Sequence, residues 1–388
     1  MNATNAMPRH SIYAKHLIAC ATLGMVAACS PLLAQPKPFV TGLLSPSTLI
    51  RGPQGTLVVS EIGPTANTGR VSVISSSGTR RTLIDGLPSG VGDEGADGPT
   101  GIVLDDNNTL FVAIGEGDQL TAGPNPGTQI PNPKGPSSPI LDTVLQIDLS
   151  APVDRIATGF SLKAADHATL ADGLSVTLDN GAGDKATVSV LSAFRYRPDP
   201  NAVYKNSHPY ALAKALGEPN QLYLADAGLN SVVQIDLPSG RWRKLAAFPP
   251  QPNKTPVGPP VIDAVPDSIR AFGGKLIVTL LSGFPFTAGN SKVMAVDPAT
   301  GQTSVVLDNL TSSIDVAFRT RFFGALETYV LEFSNDLANN GPGRLRSFAN
   351  GTSTVVADNL PGPCSMLLDG NTFYIATKAG IIFTLDVK

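Results

Sequence analysis

"YLADAGLNSVVQID", Tyr223 to Asp236, is an apolar run that turns acidic at Asp226, passes Gly228 and Asn230, and becomes apolar again. An acid, a glycine and an amide between two apolar runs make either a metal or catalytic corner or the turn of a β-hairpin. Repetition favours the turn. Three apolar residues, a small residue and a variable one recur as "LVVSE" (Leu57 to Glu61), "LFVAI" (Leu110 to Ile114), "LYLAD" (Leu222 to Asp226) and "LIVTL" (Leu276 to Leu280). "TYVLE" (Thr328 to Glu332) and "FYIAT" (Phe373 to Thr377) are looser members.

Each copy follows a similar lead-in: "PSTLI" at Pro46, "PTGIVL" at Pro99, "PYALA" at Pro209, "PDSIRA" at Pro266, "IDVAF" at Ile314 and "PCSMLL" at Pro363. Each precedes a further strand-like run, such as "SVVQIDL", and most units close on a fourth, such as "RTLIDGL" or "SVVLDNL". Four short strands in a recurring unit of roughly 40–50 residues mark a β-propeller. The runs are continuously apolar because neighbouring blades bury both faces of each sheet. The reading is all-β: a six-bladed β-propeller of four-stranded blades, with seven blades as the alternative. The last unit stops after its third strand, at "FTLDVK". "KPFVTGL" (Lys37 to Leu43) matches the missing closer, so an N-terminal strand is expected to complete the ring, Phe39–Val40 pairing near Ile381–Thr384.

The irregular place lies between the second and third lead-ins. A Pro/Gly/Asn-rich loop and the stretch Gly173 to Phe194, read as a hairpin around "NGAGDK", form an insertion around residues 118–200 of a single domain spanning 35–388.

Composition agrees. Charged residues are 15% of the 388, while Gly (38) and Pro (33) are plentiful, favouring short strands with punctuated turns over long helices. A net charge of −3 offers no basic field for a phosphate backbone, so nucleic acid is excluded as a partner. Arg9 and Lys15 followed by the apolar Leu17 to Ala28 read as an export signal, too short for a comfortable membrane span. Either residues 1–34 are removed, or "VAACS" is a lipobox and residues 1–28 leave a lipidated Cys29. The expected location is periplasmic or extracellular, with no transmembrane span. The three cysteines give no disulfide framework, so the core must hold the domain. A monomer is expected.

"YLADAGLNSVV", "LSGFPFTAGNSKV", "SIDVAF" and "NLPGPCSMLLDG" together resemble the ScyD/ScyE family, over about Phe39 to Lys388. Its members are exported propeller-like proteins, related in style to NHL-repeat and gluconolactonase-type propellers. "DAGLN" and "GFPF" are the most specific pieces. The chain departs from the family at His208-Pro209-Tyr210, where Asn-Pro-Tyr is usual, and at "AFRYRPDPN" (Ala193 to Asn201). The resemblance implies a fold and export, but no chemistry.

The slot ending each second strand holds Glu61, Ile114, Asp226, Leu280, Glu332 and Thr377. Glu61, Asp226 and Glu332, with Asn230 and Asp315 beside them, are hard-cation ligands if they converge, and Ca²⁺ is the candidate ion. Otherwise they end strands because turns need polar groups. Phe284 and Phe286 either wall a pocket mouth or plug a blade interface. His208 acts as a general base, lines the axial mouth, or is a hydrogen-bonded turn residue. His167 is expected on a surface turn, and Cys364 as a buried small hydrophobe at a strand start. No Ser–His–Asp constellation, zinc spacing or phosphate loop is in view. The expected function is an accessory or binding module for a small molecule, glycan or protein. The alternative is a Ca²⁺-dependent lactonase or ester hydrolase.

Overall fold

The computed structural model describes residues 33–92, 95–124, 129–194, 206–321 and 324–387. The export signal with its Cys29 lipobox, and Arg195 and Arg197, lie outside the described residues. Six blades surround an axis, each built on four antiparallel strands, with a fifth strand added at the outer edge of blades 1 and 2. Their first strands are Pro46–Arg51, Pro99–Leu104, Pro209–Ala213, Pro266–Phe272, Ser313–Thr320 and Pro363–Asp369, matching the lead-ins. Blade 3 continues through Gln221–Asp226, Ser231–Asp236 and Trp242–Ala247. The opening stretch is therefore the second strand, turn and third strand of one blade.

The ring closes as the sequence predicts. Lys37–Val40 is the fourth strand of blade 6, with Lys37 opposite Thr384, Pro38 opposite Phe383 and Val40 opposite Ile382. Closure leaves no blade without a neighbour on either face.

Strand alternation explains why the apolar runs are continuous. Successive side chains point to opposite faces of a sheet, and here both faces meet another blade. In "LVVS", Leu57 and Val59 pack toward blade 6 while Val58 packs toward blade 2. In "LYLA", Leu222 and Leu224 face blade 2, and Tyr223 and Ala225 face blade 4. Among the described residues the buried core divides into six apolar clusters, one for each blade–blade interface.

Residues 118–194 differ from the expectation in one respect. The hairpin exists, Val176–Asp179 pairing with Lys185–Ala193, but the second of these strands also pairs along Thr143–Leu149. It is the fourth strand of blade 2, and Val176–Asp179 adds a fifth. Ala186 and Val188 are wholly buried in the interface with blade 1, which fixes the strand there. Phe160–Ser161 pairs in parallel with the outer strand of blade 1, and a short helix, Ala164–Ala171, follows. His167 sits on that helix and is buried, not on a surface turn; its ring nitrogens lie 3.0 Å from Ser138 Oγ and 2.8 Å from Gly86 O. Among the described residues no helix is long and apolar enough to cross a membrane.

Candidate functional site: the axial mouth

Every first strand carries an irregularity in register directly after its first residue. A bulge adds one unpaired residue and re-aims its side chain. In blades 3 to 6 the residues left out of register are Tyr210, Asp267, Ile314 and Cys364. In blades 1 and 2 they are Ser47–Thr48 and Thr100–Gly101. Tyr210, Asp267, Ile314 and Cys364 all line one cavity of about 500 Å³. Phe284, Phe286, Phe333 and Leu337 give it an apolar wall, and His208, Asn230 and Lys378 also face it. A second cavity of about 130 Å³ shares His208, Tyr210 and Lys378 with the first, and is lined by Asp97 and Glu116.

The blade 3 corner positions His208. Asp226 is buried, and its carboxylate accepts the His208 backbone N–H (2.9 Å), the Leu229 N–H (2.9 Å) and the Ser207 hydroxyl (2.6 Å). Gly228 is required, because a Cβ there would stand 2.2 Å from the Asn206 carbonyl oxygen. Asn230 turns the chain at φ +48° and reaches blade 4, accepting from Val265 N (2.8 Å) and donating to Asp263 (3.0 Å).

His208 Nε2 lies 3.2 Å from Asp97 Oδ2, close enough for an ion pair although poorly aligned for a hydrogen bond. Burial disfavours charge on the ring, but Asp97, with Glu116 and Asp142, outweighs it and pushes the pKa up to about 10. With that pKa the ring carries a positive charge at neutral pH and faces Asp97 as a cation. The same pairing holds Asp97 below its usual range against its own burial. Asn206 Nδ2 donates to Glu116 (3.0 Å). Asp142 is wholly buried, and neither carboxylate oxygen has a hydrogen-bond partner among the described residues. Burial first, and Glu116 second, push its pKa well above normal.

Asp267 is the titrating group of the larger cavity. Burial raises it to about 7, with Lys378 pulling the other way. The charge of Asp267, then burial, pushes the neighbouring Tyr210 hydroxyl well above its ordinary value. Burial pushes the Cys364 thiol up to about 12, which makes it an inert wall residue; its Sγ lies 3.1 Å from the Pro46 carbonyl.

The sequence-predicted residues divide. His208, Asn230, Phe284 and Phe286 come together around the cavity. Glu61 and Glu332 do not join them: each is a fully buried clamp within its own blade. Glu61 accepts from Ser72 and from the Leu44 N–H, and pairs with Arg70 (2.7 Å) and Arg80 (3.2 Å). Glu332 pairs with Arg344 and Arg346 and accepts from the Thr311 N–H (3.0 Å). Asp226 does the equivalent work for Ser207 and His208. Asp315 lies deeper, gripped by Arg270 and by Met366 N (2.8 Å). Among the described residues no three His, Cys, Asp or Glu side chains form a set that would hold a metal ion. Tyr210, Asp267 and Lys378 were missed. The signal available for the first two was their shared position, directly after the lead-in proline.

No family model matches the chain, and no curated protein matches it. Solved structures are similar in outline. Virginiamycin B lyase from Staphylococcus aureus is 12% identical, with 91% of this chain and 99% of that one covered and a TM-score of 0.46. The PQQ-bound aldose sugar dehydrogenase from Streptomyces coelicolor is 14% identical, with 91% and 97% covered and a TM-score of 0.49. Kuenenia stuttgartiensis hydrazine synthase is 12% identical, with 86% and 74% covered and a TM-score of 0.45. Likeness at this level lends nothing to the reading of the site, which rests on its own residues.

Proposed function

We propose that the protein binds a small amphipathic organic molecule in the axial mouth. The molecule's apolar body lies against Phe284, Phe286 and Phe333, and its polar end rests on the floor of Tyr210, Asp267 and Lys378. One observation carries the reading: four successive blades each turn an out-of-register residue into the same cavity of about 500 Å³. Few polar groups set in an apolar cavity of this size are the usual design of a small-molecule site. Titration calorimetry with eight-carbon amphiphiles tests it. Binding should be lost in Ile314→Arg, which fills the cavity, and weakened in Phe284→Ala. Binding unaffected by both substitutions would place the molecule elsewhere.

A second reading is favoured by the ionisation of Asp267. A carboxylate with a pKa of about 7 beside a hydroxyl is suited to general acid–base work on the bound molecule. An ester and lactone screen with Asp267→Asn as the control tests it; activity that survives the substitution counts against it. The Ca²⁺-dependent lactonase is a weaker proposal, since the oxygens of Glu61 and Glu332 are engaged by arginines. Export, and membership of the ScyD/ScyE family, belong to the same proposal and rest on the N-terminal pattern and the "DAGLN" and "GFPF" motifs.

A further inference from the structure

We propose that the molecule bound in the axial mouth is a carboxylic acid with an apolar body, its carboxylate held between the Lys378 ammonium and the Asp267 carboxyl. This rests on the axial cavity being a binding site, and names what the site takes.

Lys378 directs the choice. Among the described residues the other cations that line the axial cavities are matched, Arg270 by Asp315 and His208 by Asp97. Lys378 is half-buried and lines both cavities, yet among the described residues no carboxylate lies within 4.0 Å of its ammonium. It is near enough to pull down the pKa of Asp267 and of Cys364, but not paired with either. A cation in a partly desolvated pocket without its counter-ion is completed by an anionic ligand. The apolar wall supplies the rest of the recognition.

Asp267 sets a condition on that binding. The charged and titratable groups facing it are Lys378, Tyr210, Asp315 and His208. Burial first, and Asp315 with it, oppose its ionisation, while Lys378, the Tyr210 hydroxyl and His208 favour it, leaving the carboxyl half protonated near pH 7. The protonated carboxyl donates its O–H to a ligand carboxylate. The ionised form repels it. Binding of an acid should therefore take up a proton and weaken as pH rises through neutrality, whereas binding of an alcohol of the same length should not.

The test compares octanoate, 1-octanol and octylamine by titration calorimetry at pH 6 and pH 8. Wild type should bind octanoate at least about tenfold more tightly than octanol at pH 6. That advantage should shrink about tenfold by pH 8, following the loss of the Asp267 proton. Lys378→Met should erase the preference for octanoate over octanol, and a cooperative thermal melt of the variant shows that it is folded. If octanol or octylamine matches octanoate, or Lys378→Met keeps the preference, the carboxylate assignment is overturned while the cavity reading stands. If none of the three binds, the cavity reading fails and the assignment with it.

Discussion

Arg270 and Asp315 join blade 4 to blade 5 inside the axial channel through two parallel bonds, Nε to Oδ1 at 3.0 Å and Nη2 to Oδ2 at 2.6 Å. The same carboxylate accepts from Met366 N and Ser365 Oγ of blade 6, so one aspartate ties three blades. Asp315→Ala leaves the Arg270 guanidinium without its partner. Removing one side of a buried pair costs about 3–5 kcal/mol. Arg270 keeps 27% of its side chain exposed, so solvent screening brings the expected loss to about 2–3 kcal/mol. Urea unfolding followed by circular dichroism checks it. A loss below about 0.5 kcal/mol would mean that the pair is ornamental.

The His208–Asp97 pair makes a pH prediction with a definite sign. The folded pKa of His208, about 10, is above its ordinary 6.5, so the folded protein holds a proton that the unfolded chain releases. The stability this contributes is complete below about pH 6.5 and is lost as pH rises through about 10. Asp97→Asn should lower the melting temperature at pH 6, and the gap from wild type should close by pH 10.5. A gap that is constant across this range would show that the ring is neutral throughout.

Closure of the ring by an N-terminal strand predicts that a single buried side chain near the N-terminal end of the described residues controls the far end of the chain. Val40 lies opposite Ile382 and is nearly fully buried in the interface between blades 6 and 1. Val40→Asp places an unpaired carboxylate there and should cost about 3 kcal/mol or more. Amide exchange should then speed up in Ile381–Asp386 before it does in blade 3. Uniform exchange across all blades would argue that the ring opens elsewhere.

Much of this architecture is legible in the residues because propeller blades punctuate themselves. The lead-in prolines, the three-apolar runs and the closers mark strands one, two and four directly, and the displaced closer at Lys37 reveals the ring. The site is less legible, for two physical reasons. An acid at a strand end has the same signature whether it binds an ion or caps a turn, and Glu61 and Glu332 turn out to be paired with arginines on their own third strands, at Arg70 and Arg344. Asp267, by contrast, sits in a strand-like run whose composition does not mark it as turned inward. Its place directly after the lead-in proline is the one sign in the sequence, and the bulge that turns it is a property of register between two strands rather than of one strand's composition. Lys378 is a surface-type residue in a turn of blade 6 until the ring brings it near Asp267 of blade 4.

Asp267 should show the tension between stability and function. Its folded pKa of about 7 stands above the ordinary 3.8, so the folded protein retains a proton that the unfolded chain gives up. The group's contribution to stability is therefore greatest below about pH 4, falls as pH rises from there to about 7, and stays low beyond. Asp267→Asn keeps the shape and removes the ionisation. It should be near neutral for stability at pH 4.5 and stabilising by about 2 kcal/mol at pH 8, measured by chemical unfolding. The same substitution removes the group that exchanges a proton at the floor of the cavity. The pH dependence of octanoate binding should flatten in the variant that unfolds least readily at pH 8. A residue kept for packing alone would lose stability on substitution at both pH values, and that result would remove Asp267 from the site.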